Sequence, residues 1–287
     1  MFNFENTKVK NMKIRQEILS SRNNPLVKWA SSLSEKKERQ ASRSFMIEGI
    51  KLTLEALKNS LPVTHIFLLE SKSEKLLEQI SGFNKDGFYK DCEIVILSEG
   101  AFEKISTEKG AEGIISIVKY LDFFNNLDII YKEEFFIPES ERAIALCSVR
   151  DPGNLGSVIR SAVAFGVDHI VISADSADIY NPKTVRSAMG SLFYVKITVV
   201  SDFGSFVCAA KRAGRRIFAA ELTDTAKSIR DINVLPTDIF MIGNEGHGIL
   251  PEISSKCTDS IYIPISSRTE SLNASVAAAV FMWEQNK

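Results

Sequence analysis

Four polar side chains in the second half of the chain are of the types that orient hydroxyls, grip anions and stabilise developing charge: Asn154, Arg160, Glu245 and Asn273. Each lies in or just after a bend that follows an apolar run. The bends are Asp151-Pro152-Gly153-Asn154-Leu155-Gly156, Gly243-Asn244-Glu245-Gly246-His247-Gly248, and Pro264 through Ser271-Leu272-Asn273. Glycine lets backbone approach a ligand closely, and bends at strand ends are where open α/β sheets place their sites. Three such bends in one domain predict a single composite pocket.

Each bend, taken alone, also has a structural explanation. Asn154 reads as the N-cap of a helix over Leu155–Phe165, closed by Gly166. On that reading Arg160 sits early in the helix, where the dipole disfavours a cation. An anionic substrate would compensate, and so would an ion pair with Glu245. The Gly243 loop is also compatible with an ordinary connection, and His247 with a surface position. The dinucleotide pattern G-x-G-x-x-G and the Walker pattern are both missing, which argues against a nicotinamide enzyme and an NTPase.

The elements that position these residues follow from hydrophobic patterning. Apolar runs recur at Ala143–Val149, His169–Ser173, Tyr194–Val200, Arg216–Ala220, Asp238–Ile242 and Ser260–Pro264, with helical stretches at Leu155–Phe165, Lys183–Leu192 and Phe203–Ala213. Buried strands alternating with helices predict a mostly parallel sheet covered on both faces. The last helix, from Ala274 to Trp283, is almost wholly apolar, as expected for docking in a core or for a subunit interface. Upstream, strands at Ser44–Ile47, Val63–Leu69, Glu93–Leu97 and Gly113–Val118 alternate with helices, so a smaller α/β domain is expected. The expected layout is a flexible tail over 1–11, the smaller domain over 12–119, an aromatic and acidic linker over 120–141, and the larger domain over 142–287.

A chain of 287 residues with 45% hydrophobic and 25% charged residues is that of a globular protein. No run of eighteen apolar residues predicts a membrane span, and the first residues lack a signal-peptide layout, so the expectation is a cytoplasmic protein. The four cysteines have no zinc-ligand spacing, and no metal is expected. The net charge of −1 argues against a uniformly basic nucleic-acid binder. Between Lys8 and Lys51, however, eleven Lys and Arg face four acids. That excess suits a polyanion, and it also fits a solvated helix face with Glu–Lys pairing. The candidate polyanion contacts in this stretch are Arg22, Lys28, Lys36, Lys37, Arg39 and Arg43.

In order and at strand ends, the three bends resemble the motifs of the SpoU (TrmH-type) branch of the SPOUT RNA methyltransferases. Asn154, Gly156 and Arg160 match N-x-G-x-x-x-R; Gly243, Glu245 and Gly248 match G-x-E-x-x-G; Pro264 with Ser271-Leu272-Asn273-Ala274-Ser275 matches the third. Asn181-Pro182-Lys183 and Arg186 through Gly190 resemble the stretch between the first two. Asn24-Pro25-Leu26-Val27-Lys28 and Phe45-Met46-Ile47-Glu48-Gly49 are similar to the ribosomal-protein-like RNA-binding domain often fused ahead of it. Ala274 departs from the family, which usually has a β-branched residue there, and the 120–141 connection is long.

The resemblance implies an α/β fold with a deep trefoil knot, a homodimer, and S-adenosylmethionine bound mostly by backbone. Carried over, the cofactor contacts fall on Gly243, Ile263 and Leu272, and on Leu222 after its strand. The implied reaction methylates a ribose 2′-hydroxyl of structured RNA, with ribosomal RNA favoured by the two-domain layout and transfer RNA the alternative. Family proposals give Arg160 the hydroxyl proton. A guanidinium is hard to deprotonate in proteins, so the role expected here is gripping the neighbouring phosphate and lowering the hydroxyl's pKa. Asn154 would orient Arg160 or the ribose, Glu245 would hold Arg160, and Asn273 would cap the last helix. A dimeric RNA-binding protein without catalysis is the competing expectation.

Overall fold

A computed structural model describes residues 12–82, 89–108, 110–121, 124–127, 137–138 and 140–287. The expected tail over 1–11 lies outside these residues. Contacts divide the chain into two compact units: up to Leu121 together with Tyr180–Arg186, and Asp122–Ile179 together with Ser187–Lys287.

The first unit comprises β1 (Lys13–Ile14), α1 (Pro25–Ser32), α2 (Lys36–Ser42), β2 (Ser44–Glu48), α3 (Ile50–Lys58), β3 (Val63–Leu69), α4 (Ser73–Ser81), β4 (Glu93–Leu97), α5 (Glu99–Ile105) and β5 (Ile114–Lys119). Its sheet has the order β1-β4-β3-β5-β2, with β5 antiparallel to both neighbours. Asn24 caps α1 by accepting from Leu26 N at 2.9 Å, with Pro25 at the first helical position. The apolar faces of α1 and α5 close over Met46, Phe67, Val95, Leu97, Ile115 and Ile117. Tyr180 stacks on Tyr120 at 4.0 Å and its hydroxyl accepts from Leu121 N at 2.9 Å, which places that segment with this unit.

The second unit follows with β6 (Phe124–Leu127), β7 (Ala143–Leu146), α6 (Pro152–Ala164), β8 (His169–Ser173), α7 (Pro182–Ala188, most of it clustering with the first unit), β9 (Lys196–Val200), α8 (Phe203–Arg212), β10 (Ile217–Ala220), β11 (Lys227–Ser228), β12 (Ile239–Ile242), α9 (Pro251–Ser254), β13 (Asp259–Tyr262) and α10 (Ala274–Gln285). The sheet order is β11-β13-β10-β12-β7-β8-β9-β6, and every pairing is parallel. β6 falls inside the stretch expected as linker and pairs with β9.

Both faces of this sheet are covered, which is why its strands read as unbroken apolar runs. On one face Ala143, Ala145, Ile217, Ala219, Ile239 and Met241 pack against Phe203, Phe206 and Val207 of α8. On the other, Phe218, Phe240 and Phe281 of α10 stack in series at 5.8 and 5.0 Å. Helix α10 buries Ala274, Ala278, Phe281 and Met282, yet Val276 and Trp283 remain 48% and 53% exposed. An apolar helix is thus only half covered within one chain. The helix α6 ends as its sequence predicts, with Gly166 at φ +67° just beyond it. No described helix is long and apolar enough to cross a membrane.

Candidate active site

Strands β13, β10, β12 and β7 are consecutive neighbours and parallel, so the chain leaves all four at one edge of the sheet. The three bends therefore meet there, and a hydrogen-bonded relay joins them. The Asn273 amide donates to Asn154 Oδ1 at 2.9 Å, and the Asn154 amide donates to Glu245 Oε1 at 2.7 Å. Asn273 Oδ1 in turn accepts from Ser275 N at 2.9 Å and from the Ser275 hydroxyl at 2.7 Å, capping α10.

Local sequence explains how Asn154 becomes available. The N-cap of α6 is Asp151, whose carboxylate accepts from Asn154 N at 2.8 Å, and Pro152 takes the first helical position. The capping role expected for Asn154 therefore belongs to Asp151, and Asn154, inside the first turn, directs its side chain to the other two bends. Asp151-Pro152 is itself a helix-start signal that could have settled the point.

Arg160 lies further along the 13-residue α6 than expected, beyond the reach of the helix N-terminal field. It is exposed and has no hydrogen-bond or ion-pair partner among the described residues. The Glu245 carboxylate, expected on Arg160, receives Asn154 instead.

The Gly243 loop is tightly closed. Asn244 and Gly248 exchange backbone hydrogen bonds at 3.0 Å each, and the Asn244 side chain accepts from Gly246 N at 2.9 Å and His247 N at 3.2 Å. A Cβ on Gly243 would lie 2.4 Å from the Gly248 carbonyl carbon, so only glycine permits the crossing. Asn244, which the sequence reading passed over, also donates to Ser148 O at 2.8 Å and so ties this loop to the bend before α6. Its signature is that of an Asx turn.

The remaining cofactor candidates follow the same strand ends. Leu222 follows β10 and Ile263 follows β13, and these strands pair directly. Leu222 is 76% exposed, Ile263 and Leu272 are half-buried, and Gly243 is buried. Apolar side chains left open beside backbone at a strand edge suit a flat, partly apolar ligand.

The RNA-contact candidates divide. Lys28, Lys36, Lys37 and Arg43 are exposed, and the Arg43 guanidinium stands 5.5 Å over the Tyr120 ring. Arg22 is exposed but held by Gly100 O at 2.7 Å and Glu103 at 2.8 Å. Arg39 is a correction: it is buried, and its guanidinium donates to Leu33 O at 2.9 Å and Ser34 O at 2.6 Å. It holds the α1–α2 turn and is not presented to RNA.

Residues 141–283 match the model of the SpoU rRNA methylase family, and residues 24–116 match an MRM3-like substrate-binding domain. The chain belongs to the SpoU methylase family. Over 269 residues it is 29% identical to the 23S rRNA (guanosine(2553)-2′-O)-methyltransferase of Bacillus subtilis, covering 93% of this chain and 98% of that one. It is 24% identical over 275 residues, 93% of this chain and 90% of the other, to a 23S rRNA (uridine(2479)-2′-O)-methyltransferase of Streptomyces viridochromogenes. Among solved structures, an AdoMet-bound rRNA methyltransferase from Sinorhizobium meliloti superposes with a TM-score of 0.78 at 26% identity, covering 95% of this chain and 97% of that one. The expected α/β SpoU fold, with a smaller mixed-sheet unit ahead of the parallel one, is thereby established. Among the described residues no group of three His, Cys, Asp or Glu side chains is placed to hold a metal ion.

Proposed function

We propose that this SpoU-family chain is an RNA methyltransferase that transfers a methyl group from S-adenosylmethionine to a ribose 2′-hydroxyl of ribosomal RNA. The observation that carries the reading is the relay Asn273–Asn154–Glu245, which brings three distant bends to one sheet edge beside the helix bearing Arg160. The rRNA specificity of the relatives supports the choice of substrate. A cytoplasmic location is part of the same reading.

The residues at the strand edge fit the cofactor. Backbone around Gly243 and the apolar side chains of Leu222, Ile263 and Leu272 would hold it. S-adenosylmethionine supplies an electrophilic methyl group on a sulfonium. The chain's own task is then chiefly orientation. Asn154 is fixed at both ends of its amide, by Asn273 and Glu245, and so sets the positions of the bends relative to one another. Arg160, without a partner among the described residues, is assigned to the substrate phosphate beside the reacting ribose, where its charge favours loss of the hydroxyl proton. Lys28, Lys36, Lys37 and Arg43 are assigned to RNA in the first unit.

The same reading includes the family's homodimer and knotted C-terminal segment. The exposed Val276 and Trp283 on α10 support the dimer, since a second copy would cover that apolar face. The domain assignment is 12–119 for RNA and 142–287 for methyl transfer. In a dimeric RNA binder without catalysis the relay would only tie the bends together; the 2′-O-methyltransferase names of the relatives favour the enzymatic reading. The test is Arg160→Ala: methylation of an rRNA transcript should be lost while calorimetric binding of S-adenosylmethionine stays near the parent's. Loss of cofactor binding would reject the assignment of Arg160 to the substrate.

A further inference from the structure

A second polar network lies at the same strand edge, on the β8 side of the relay. The Asp175 carboxylate, just beyond β8, accepts from the Ser173 hydroxyl at 2.7 Å, the Ser148 hydroxyl at 2.7 Å and Arg150 at 3.0 Å. The Ser173 hydroxyl also accepts from Ser148 N at 2.7 Å. Ser148 has φ +58°, a left-handed conformation that a non-glycine residue adopts at a cost, and these contacts hold it there. Its carbonyl takes the Asn244 amide at 2.8 Å, so the network reaches the Glu245 loop. Burial alone would raise the Asp175 pKa, but the hydrogen bonds from Ser173, Ser148 and Arg150, with the charge of Arg150, outweigh it and keep the carboxylate ionised.

What this network displays to solvent is Arg150. Its side chain is 66% exposed, and only one of its amino groups is engaged. The other guanidinium N–H groups have no partner among the described residues. It directly precedes Asp151, the cap of α6, in the bend that carries Asn154. A tethered guanidinium with open N–H groups is pre-organised to receive a phosphate, because less rotamer freedom is lost on binding.

We propose that Arg150 is an RNA phosphate-binding residue at the rim of the active edge, and that Asp175 is the positioning residue that holds it. This rests on the RNA methyltransferase reading above. Arg150 acts on substrate binding, whereas Arg160 acts on the reacting nucleotide. The Ser148 bend ties Arg150 to the Glu245 loop: one side of Asp175 fixes the guanidinium, and the other, through Ser173, fixes the backbone whose carbonyl receives Asn244.

The experiment uses the full chain, an unmodified 23S rRNA transcript and radiolabelled S-adenosylmethionine, with filter binding of the same transcript across a salt series. Arg150→Ala should raise KM for RNA by about tenfold, the loss of one charge-assisted contact, with kcat and cofactor affinity within about twofold of the parent. The slope of log affinity against log salt should fall by about 1. Arg150→Lys should recover part of the affinity and Arg150→Gln none. Asp175→Asn should raise KM by a smaller factor, since the serine hydrogen bonds can persist. An unchanged KM and salt slope in Arg150→Ala would overturn the proposal, as would a fall in kcat at unchanged KM. If the parent binds the transcript with the Arg150-dependent slope but transfers no methyl group, this inference stands and the enzymatic reading fails. If the parent does not bind the transcript, both fail.

Discussion

The two edges of the eight-stranded sheet use the same kinds of polar residue to opposite ends. At the amino edge they are buried and hold the fold. Arg215, 4% exposed, donates to the carbonyls of Thr237, Ile137, Pro138 and Glu141. Asp238, fully buried, takes the Arg216 guanidinium at 2.8 and 2.6 Å and Leu235 N at 2.8 Å. Gln285 donates to Asp238 O at 2.7 Å, and His169 pairs with Thr198 at 2.7 Å. At the carboxyl edge the relay is exposed and Arg150, tied to Asp175 by one amino group, is largely exposed; Arg160, further along α6, is exposed and has no hydrogen-bond or ion-pair partner among the described residues. Burial makes an amide or guanidinium a structural tie, because an unmet buried polar group is costly. Exposure at a strand edge leaves the same group available to a ligand. The contrast predicts that substitutions at the two edges separate stability from activity.

The largest effect is expected from Arg160→Ala, which should lower kcat/KM by roughly 10³-fold with no change in melting temperature. A matching loss of stability, measured by calorimetric unfolding, would mean that Arg160 belongs to the structural class. Next is the converse, Arg215→Ala. It removes a donor from the buried Ile137 carbonyl and from the part-buried carbonyls of Thr237, Pro138 and Glu141, and should cost about 3 kcal/mol of stability in denaturant unfolding, while the folded fraction keeps its kcat. Asn154→Ala follows. Two contacts of an exposed network contribute little to stability, but misplaced bends should lower kcat/KM by roughly 10²-fold.

The smallest effect sharpens the comparison through pH. Burial lowers the His169 pKa below its ordinary value, with Glu141 opposing that shift. The unfolded chain binds a proton at pH about 6.5 that the folded chain resists, so stability should decline as pH falls below that value. Burial would raise the Glu141 pKa, but Lys196 and His169 outweigh it and lower it. Its contribution is present above about pH 4.3 and is lost as pH falls through its folded value. Thermal melts across pH should show the first decline in the parent and not in His169→Gln. Equal declines in both would remove His169 from this account.

The strands were legible as apolar runs: His169–Ser173, buried on both faces, coincides with β8 of the larger sheet, and the β-branched and aromatic Val63–Leu69 with β3 of the smaller one. The short edge strands β1 and β11 carry too few residues to show periodicity, and β6 lies in a stretch without it. The site residues were legible as types at bends, and their strand order follows from the parallel topology. Their pairing was not. Asn154 meets a residue 91 positions away and another 119 away, and nothing local distinguishes an amide that caps from one that bridges. Arg39 shows the same limit, since a charge count does not distinguish a buried guanidinium from an exposed one.

The most direct measurement is amide hydrogen exchange of the full chain with and without S-adenosylmethionine. Protection is predicted around Leu222, over Gly243–Ile249 and from Ile263 to Asn273, with exchange at Ile137–Arg142 and at His169 unchanged. Protection confined to the amino edge, or none at saturating cofactor, would contradict the account.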